Sequence, residues 1–150
     1  MKLRNLLVTA AAAAMCALPL PSWAQTALVE AGRTDCGVLY IEPDSVNAVK
    51  KDGQYYLAFT AEEKYTDADF LASLHEDEDM RSAVAAVYLY VFNTYGSEYF
   101  LGAQYIIDAE GKVCADLGSN TVMQSVGDDK TLKNAYTLAL KAWERKNRRL

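Results

Sequence analysis

The sequence predicts an α+β fold: a mainly antiparallel sheet of about five strands with a short connecting helix and a C-terminal helix packed on one face. Three stretches carry that prediction. The runs Ala83 to Asn93 (AVAAVYLYVFN) and Glu98 to Asp108 (EYFLGAQYIID) are rich in Val, Ile, Tyr and Phe. The turn Thr94-Tyr95-Gly96-Ser97 separates them, so they read as a long hairpin at the centre of the sheet. Gln54 to Lys64 alternates, with Tyr55, Leu57, Phe59 and Ala61 on one side and Tyr56, Ala58, Thr60 and Glu62 on the other. Finally, Asp128 to Arg148 places Leu132, Ala135, Tyr136, Ala139, Leu140 and Trp143 on one stripe of an amphipathic helix. Asp128 and Asp129 suit its N-terminus and the Arg/Lys-rich end suits its C-terminus.

Taken in order, the chain opens with Lys2 and Arg4 before the apolar stretch Leu6 to Leu18, then Pro19, Pro21 and the small-x-small step Ser22-Trp23-Ala24. That is the pattern of a secretory signal peptide spanning residues 1–24. The apolar stretch is shorter than the ~20 residues of a membrane span. Cleavage after Ala24 leaves a single secreted domain, 25–150, with no transmembrane segment. Cys16 leaves with the leader, so Cys36 and Cys114 remain. An even count in an exported protein predicts one disulfide, a cross-link of roughly 4 kcal/mol for a loop of this size.

Gln25 to Asp35 carries little pattern and reads as a loose lead-in. Gly37 to Glu42 (GVLYIE) is the first expected strand, ended by the turn Pro43-Asp44-Ser45. Val46 to Val49 is a short apolar piece before the turn Lys50-Lys51-Asp52-Gly53. After the Gln54 strand, Thr66 or Asp67 makes an N-cap and Phe70, Leu71 and Leu74 recur at helical spacing, which predicts a helix over Ala68 to Arg81. In the central strand Val87, Leu89 and Val91 face one way and Tyr88, Tyr90 and Phe92 the other, so both faces are expected to be covered. In its partner, Phe100 and Ile106 are expected on one side and Leu101, Tyr105 and Ile107 on the other. Gly102 marks a bulge or a close approach. Lys112 to Leu117 is the last expected strand, and Gly118 to Gly127 the loop before the helix.

The charge excludes one class. Twenty acidic residues outweigh fifteen basic ones, for a net charge of −5. Loss of Lys2 and Arg4 makes the balance more acidic, which argues against nucleic-acid binding. His75 is the only histidine. It precedes Glu76-Asp77-Glu78-Asp79 without the second histidine or cysteine pair of a zinc site or the central glycine of a calcium loop, so a solvated helix face is expected and no metal. Ser97 lacks the glycine frame of a nucleophile elbow, and Gly118-Ser119-Asn120 lacks the lysine of a phosphate loop. No catalytic residue and no cofactor is assigned, although a site assembled from scattered residues stays open.

The ten tyrosines are the distinctive composition. Tyr88, Tyr90, Tyr99 and Tyr105 are the candidate binding residues of a tyrosine-bearing sheet face. The competing account is cross-strand aromatic packing under the C-terminal helix.

The stretch Tyr40-Ile41-Glu42-Pro43-Asp44-Ser45-Val46, followed by Lys51-Asp52-Gly53-Gln54-Tyr55-Tyr56, resembles small exported bacterial proteins of the surface-adhesin E-like family. The resemblance covers Val38 to Ala115. The acidic segment Ala68 to Asp79 and the cysteine positions depart from the family pattern. It implies a compact secreted α+β domain used in surface adhesion, and it carries over no binding residue. The expectation is an exported bacterial non-catalytic domain in the periplasm, at the cell surface or outside the cell, binding a protein or envelope component. The alternative is a small-molecule carrier or enzyme with a pocket between helix and sheet. A further reading lets the basic tail Arg145 to Arg149 touch an anionic envelope polymer, against helix C-capping as the plainer account.

Overall fold

The computed structural model describes residues 27–148. The expected signal peptide lies outside them. The fold is α+β with a mainly antiparallel sheet and a C-terminal helix, but the sheet has seven strands rather than about five. They are β1 (Val29–Arg33), β2 (Gly37–Ile41), β3 (Asn47–Lys51), β4 (Gln54–Tyr65), β5 (Ala83–Asn93), β6 (Glu98–Asp108) and β7 (Val113–Ser125). Two helices follow the predicted order, α1 (Ala68–Leu74) and α2 (Lys130–Asn147). The order across the sheet is β1-β2-β4-β5-β6-β7, and β3 shares the edge of β4 with β2.

Three expectations change. The lead-in contains β1, which pairs antiparallel with β2. The predicted loop Gly118 to Gly127 is mostly strand, because β7 continues to Ser125 along β6. The predicted helix Ala68 to Arg81 stops at Leu74, where His75 caps it, and a separate 3-10 turn covers Glu78–Met80. The Asp67 side chain does cap α1, accepting the Phe70 amide at 2.7 Å.

Gly102 does both of the things a strand glycine signals. The β5–β6 register slips there, since Leu89 faces Ala103 and Tyr90 faces Leu101. A Cβ on Gly102 would also lie 2.9 Å from the Leu89 side chain. The extra residue reverses the facing of everything after it. Phe100 therefore joins Ala103, Tyr105 and Ile107 on one face, while Leu101 packs on the other, and the expected pairing of Phe100 with Ile106 fails.

The β4–β5–β6 centre is buried on both faces. On one, α2 lays Ala135, Ala139 and Ala142 against Ile41, Leu57, Phe59 and Phe92, and its larger stripe residues, including Trp143, flank that contact. On the other, no helix among the described residues packs over Val87, Leu89, Val91 and Tyr105, yet all are buried. The sheet coils to cover them. Lys51 of β3 brings its Nζ within 4.7 Å of the Phe100 ring centroid on β6, although β4 and β5 lie between those strands. Bulges increase twist, and the slips along β5–β6 and β6–β7 supply it.

Phe92 is the hub of the helix-covered side. It is fully buried and stacks on Phe59 and Tyr99 with centroids at 5.6 and 5.4 Å. Phe92→Ala is expected to cost about 3–5 kcal/mol in urea unfolding, whereas Tyr95→Ala, at a side chain 88% exposed, stays within about 0.5 kcal/mol.

Candidate functional site

β5 alternation places Tyr88, Tyr90 and Phe92 toward α2, and the register sets Tyr99 opposite Phe92. Three of the four candidate tyrosines thus meet on one face, with centroids 5.6 Å apart for Tyr88–Tyr90 and 5.5 Å for Tyr90–Tyr99. Tyr105 is not with them. It is buried on the opposite face beside Val87 and Ile107. Tyr90 is also buried, while Tyr88 and Tyr99 are half-buried. Cross-strand aromatic packing accounts for this arrangement.

The Tyr88 and Tyr99 hydroxyls are bonded to partners within the fold. Tyr88 donates to Glu63 Oε2 at 2.7 Å, and Thr34 donates to Glu63 Oε1. Thr34 Oγ1 in turn accepts the amides of Cys36 at 3.3 Å and Gly37 at 2.9 Å. Tyr99 donates to Gln124 Oε1 at 3.1 Å. The buried Glu63 carboxylate therefore ties the β1–β2 turn to β5. Burial first, and Glu63 second, hold the Tyr88 phenol far above its usual range. Burial raises Tyr90 as well, helped by Tyr99 and Glu63.

The other candidate groups are also engaged in the fold. His75 donates from Nε2 to the Ala83 carbonyl at 2.8 Å, pinning the end of α1 to the start of β5. The acids after it are exposed, and Asp77 caps the 3-10 turn through the Asp79 amide at 2.9 Å. Among the described residues no group of three or more His, Cys, Asp or Glu is placed to hold a metal ion. Of the basic tail, Lys146 is turned into the fold, donating to the carbonyls of Asp44 at 2.6 Å and Val46 at 3.0 Å. Arg148 lies 3.9 Å from Glu144, and Arg149 is outside the described residues.

Cys36 and Cys114 are both free thiols, so the predicted bridge is not made. Cys36 precedes β2 and Cys114 is in β7, with β4, β5 and β6 between those strands. At ~4.8 Å per strand spacing the path across the sheet is several times the span a disulfide accepts. Export and parity say nothing about distance, which is why the expectation failed. Burial, then Glu63, Asp35 and Asp67, push the Cys36 thiol up, which disfavours a nucleophilic thiolate.

The edge strands differ, and composition did not signal this; β3, paired with β4 alone, is five residues long and ends in Lys50 and Lys51. At β1, α2 seals the strand. Thr131 donates to the Arg33 carbonyl and Asn134 to the Ala31 carbonyl, both at 2.6 Å. Gly32 permits the approach, since a Cβ there would meet Thr131 Oγ1 at 2.7 Å. At the other end β7 pairs with β6 alone. Nine of its thirteen residues are exposed, including Leu117, Val122 and Met123. Two clefts are notable on the surface. One, of about 520 Å³, lies at the strand ends beside Glu62, Lys64 and Glu110; the other, of about 550 Å³, lies between the β5–β6 turn and α2 beside Tyr95, Lys133 and Tyr136. No described helix is long and apolar enough to cross a membrane.

Comparison with protein-family models, with curated proteins and with solved structures finds no match for this chain.

Tyr88 yields a pH signature. Its folded pKa lies above the unfolded phenol value of about 10, so above about pH 10 the unfolded chain releases a proton that the folded chain keeps. Stability is then full below about pH 10 and falls as pH rises beyond it. Tyr88→Phe is expected to lose about 1–3 kcal/mol at neutral pH by leaving Glu63 one donor short, and to fall less steeply on the alkaline side. Urea midpoints across that range measure both effects.

Proposed function

We propose that this chain is an exported, non-catalytic domain that binds a protein or envelope component through the open edge of β7. Export rests on the sequence pattern of residues 1–24. The observation that carries the binding reading is the difference between the edges. β1 is closed by side chains of α2 and β3 is a five-residue strand ending in two lysines, while β7 offers a long, bulged strand with Leu117, Val122 and Met123 in solvent. Exposed strand edges take up extended segments through main-chain hydrogen bonds, and adjacent apolar side chains select among them. The non-catalytic part of the reading is supported by the uses of the polar groups. Glu63, Tyr88, Thr34 and His75 are spent on internal hydrogen bonds, and the Cys36 thiol is raised. An adhesive role at the cell surface fits the same edge and rests on the family resemblance alone.

The alternative, a small-molecule carrier or enzyme, draws on the cleft between the β5–β6 turn and α2, where Lys133 and Tyr136 converge. The two readings separate in one comparison. Envelope and medium extracts are passed over the immobilised chain and over its Leu117→Lys/Val122→Lys variant. A saturable component whose recovery drops at least ~10-fold with the variant supports the β7 reading. Equal recovery on both removes it. A co-purifying small molecule that is lost in Lys133→Glu moves the carrier reading ahead.

A further inference from the structure

We infer that the cleft of about 520 Å³ at the open end of the curled sheet binds a small organic cation, a protonated amine carried on a compact apolar body. The cleft lies between the end of β4, the start of β5 and the β6–β7 turn. It is separate from the β7 edge, and the inference does not rest on that edge.

Register puts the charges there. Across β4, β5 and β6, Lys64 aligns with Ala85 and Ile107, and Glu62 aligns with Val87 and Tyr105. Ala85, Val87, Tyr105 and Ile107 are all buried in the core of the face that no described helix covers. Glu62 and Lys64 therefore project from an inner face that is otherwise apolar. Charges in that position oppose folding unless something meets them. Lys64 is exposed, and its Nζ lies 5.0 Å from the Tyr40 ring centroid. Glu62 is half-buried, and burial raises its carboxyl against the opposing pull of Lys64. Among the described residues its carboxylate makes neither a hydrogen bond nor an ion pair within the fold, and Lys64 acts on it only at longer range. A cation in the cleft supplies the missing contact.

The two ends of this face differ. At one end Tyr56 meets the Phe100 ring edge-on at 6.0 Å, and Lys51 lies over the same ring. At the other the face opens into the cleft, where Val84, Ala85 and Ile107 form an apolar floor. Val84 is the extra residue of the slip between Ala83 and Ala85, and it is exposed. An apolar floor with a few polar groups at its rim is the usual make-up of a small-molecule site, in a volume of about 300–1,000 Å³.

The rim sets the sign of the ligand. Glu62, Asp108 and Glu110 stand against Lys64. Asp108 Oδ1 accepts the amides of Glu110 and Lys112 at 2.9 and 2.8 Å, which fixes the turn that forms the far wall. An anion there meets three carboxylates, and a neutral ligand leaves Glu62 as it is. An ammonium group placed on Glu62 lets its apolar body rest on Val84 and Ile107. The cleft is open to water, so binding falls in roughly the 0.1–10 mM range.

NMR titration of the purified chain tests this with benzylammonium, benzyl alcohol and benzoate as probes of one shape and three charges. Benzylammonium is expected to shift the amides of Val84, Ala85 and Gly111 saturably, and benzyl alcohol to bind at least ~10-fold more weakly. Glu62→Gln is expected to weaken benzylammonium by ~10-fold or more, and Lys64→Gln to tighten it by ~2-fold or more. Urea midpoints confirm that each variant folds. No saturable shift up to about 50 mM benzylammonium overturns the inference. So does equal binding of benzyl alcohol or benzoate, or saturation confined to the amides of Tyr95 and Lys133 at the other cleft. If Glu62→Gln fails to fold, the wild-type preference among the three probes and the direction of the Lys64→Gln change decide. None of these positions lies on β7, so failure here leaves the β7 reading where it stands.

Discussion

The structure depends on the double burial of β4 and β5. Phe59, Phe92 and Tyr90 on one face and Ala58, Val87 and Val91 on the other are all inaccessible or nearly so. A single layer of strands cannot achieve this, so each face must be covered by something else. On the first face the cover is α2. Its alanines at 135, 139 and 142 let the helix approach closely enough for Tyr136 to pack, tilted, against Phe92, with centroids at 5.5 Å. On the second face the sheet covers itself, and this requires curvature. The bulge at Gly102 belongs to that requirement, since a regular β6 would keep Phe100 and Tyr105 on opposite sides of the sheet.

The position of α2 then sets what happens at the edges. A helix that crosses β1, β2 and β4 lies at one end of the sheet, and its polar side chains find the β1 carbonyls there. The far end receives α1 and the 3-10 turn, which touch β5 and the beginning of β7 and leave the rest of that strand open. The short helix connects β4 to β5, which pair directly as antiparallel neighbours, so it caps the strand ends rather than crossing the sheet. It also closes the small cluster of Ala83, Ala86 and Ile106, with Leu74 and Met80 above them.

What could be read from the sequence was whatever lay within one window. The central hairpin, the alternation of β4 and the α2 stripe depend on neighbours a few residues apart, and all three are present as expected. β1 was invisible because VEAGR has no alternation and is held by residues about a hundred positions away, Thr131 and Asn134. The second half of β7 was read as a loop because Gly, Ser and Asn favour turns, and only the β6 ladder makes it a strand. The tyrosine face was half legible. Alternation put Tyr88 and Tyr90 together, but nothing local announced Glu63, 25 positions from Tyr88, as the acceptor that draws its hydroxyl inward. Tyr105 was assigned with them for its residue type, and the bulge at Gly102 placed it on the other face.

The same distinction explains why a tyrosine-rich sheet need not be a tyrosine-rich binding surface. Tyrosine is favoured in strands because its ring fills space and its hydroxyl tolerates a partly wet position. Where a buried carboxylate offers that hydroxyl a partner, the polar tip stops being available to a ligand and becomes a structural tie. Glu63 does this for Tyr88 and Thr34, and Gln124 does it for Tyr99. The polar groups expected to mark a site are thereby consumed in fastening the β1–β2 turn, β4 and β5 together. The long main chain left without a second partner strand is that of β7, whose composition gives little sign of it. An open strand in an acidic chain is tolerable only if it is restrained, and Asp116 and Asn120 provide that restraint by capping its amides. The long open edge is therefore also one that its own side chains partly satisfy.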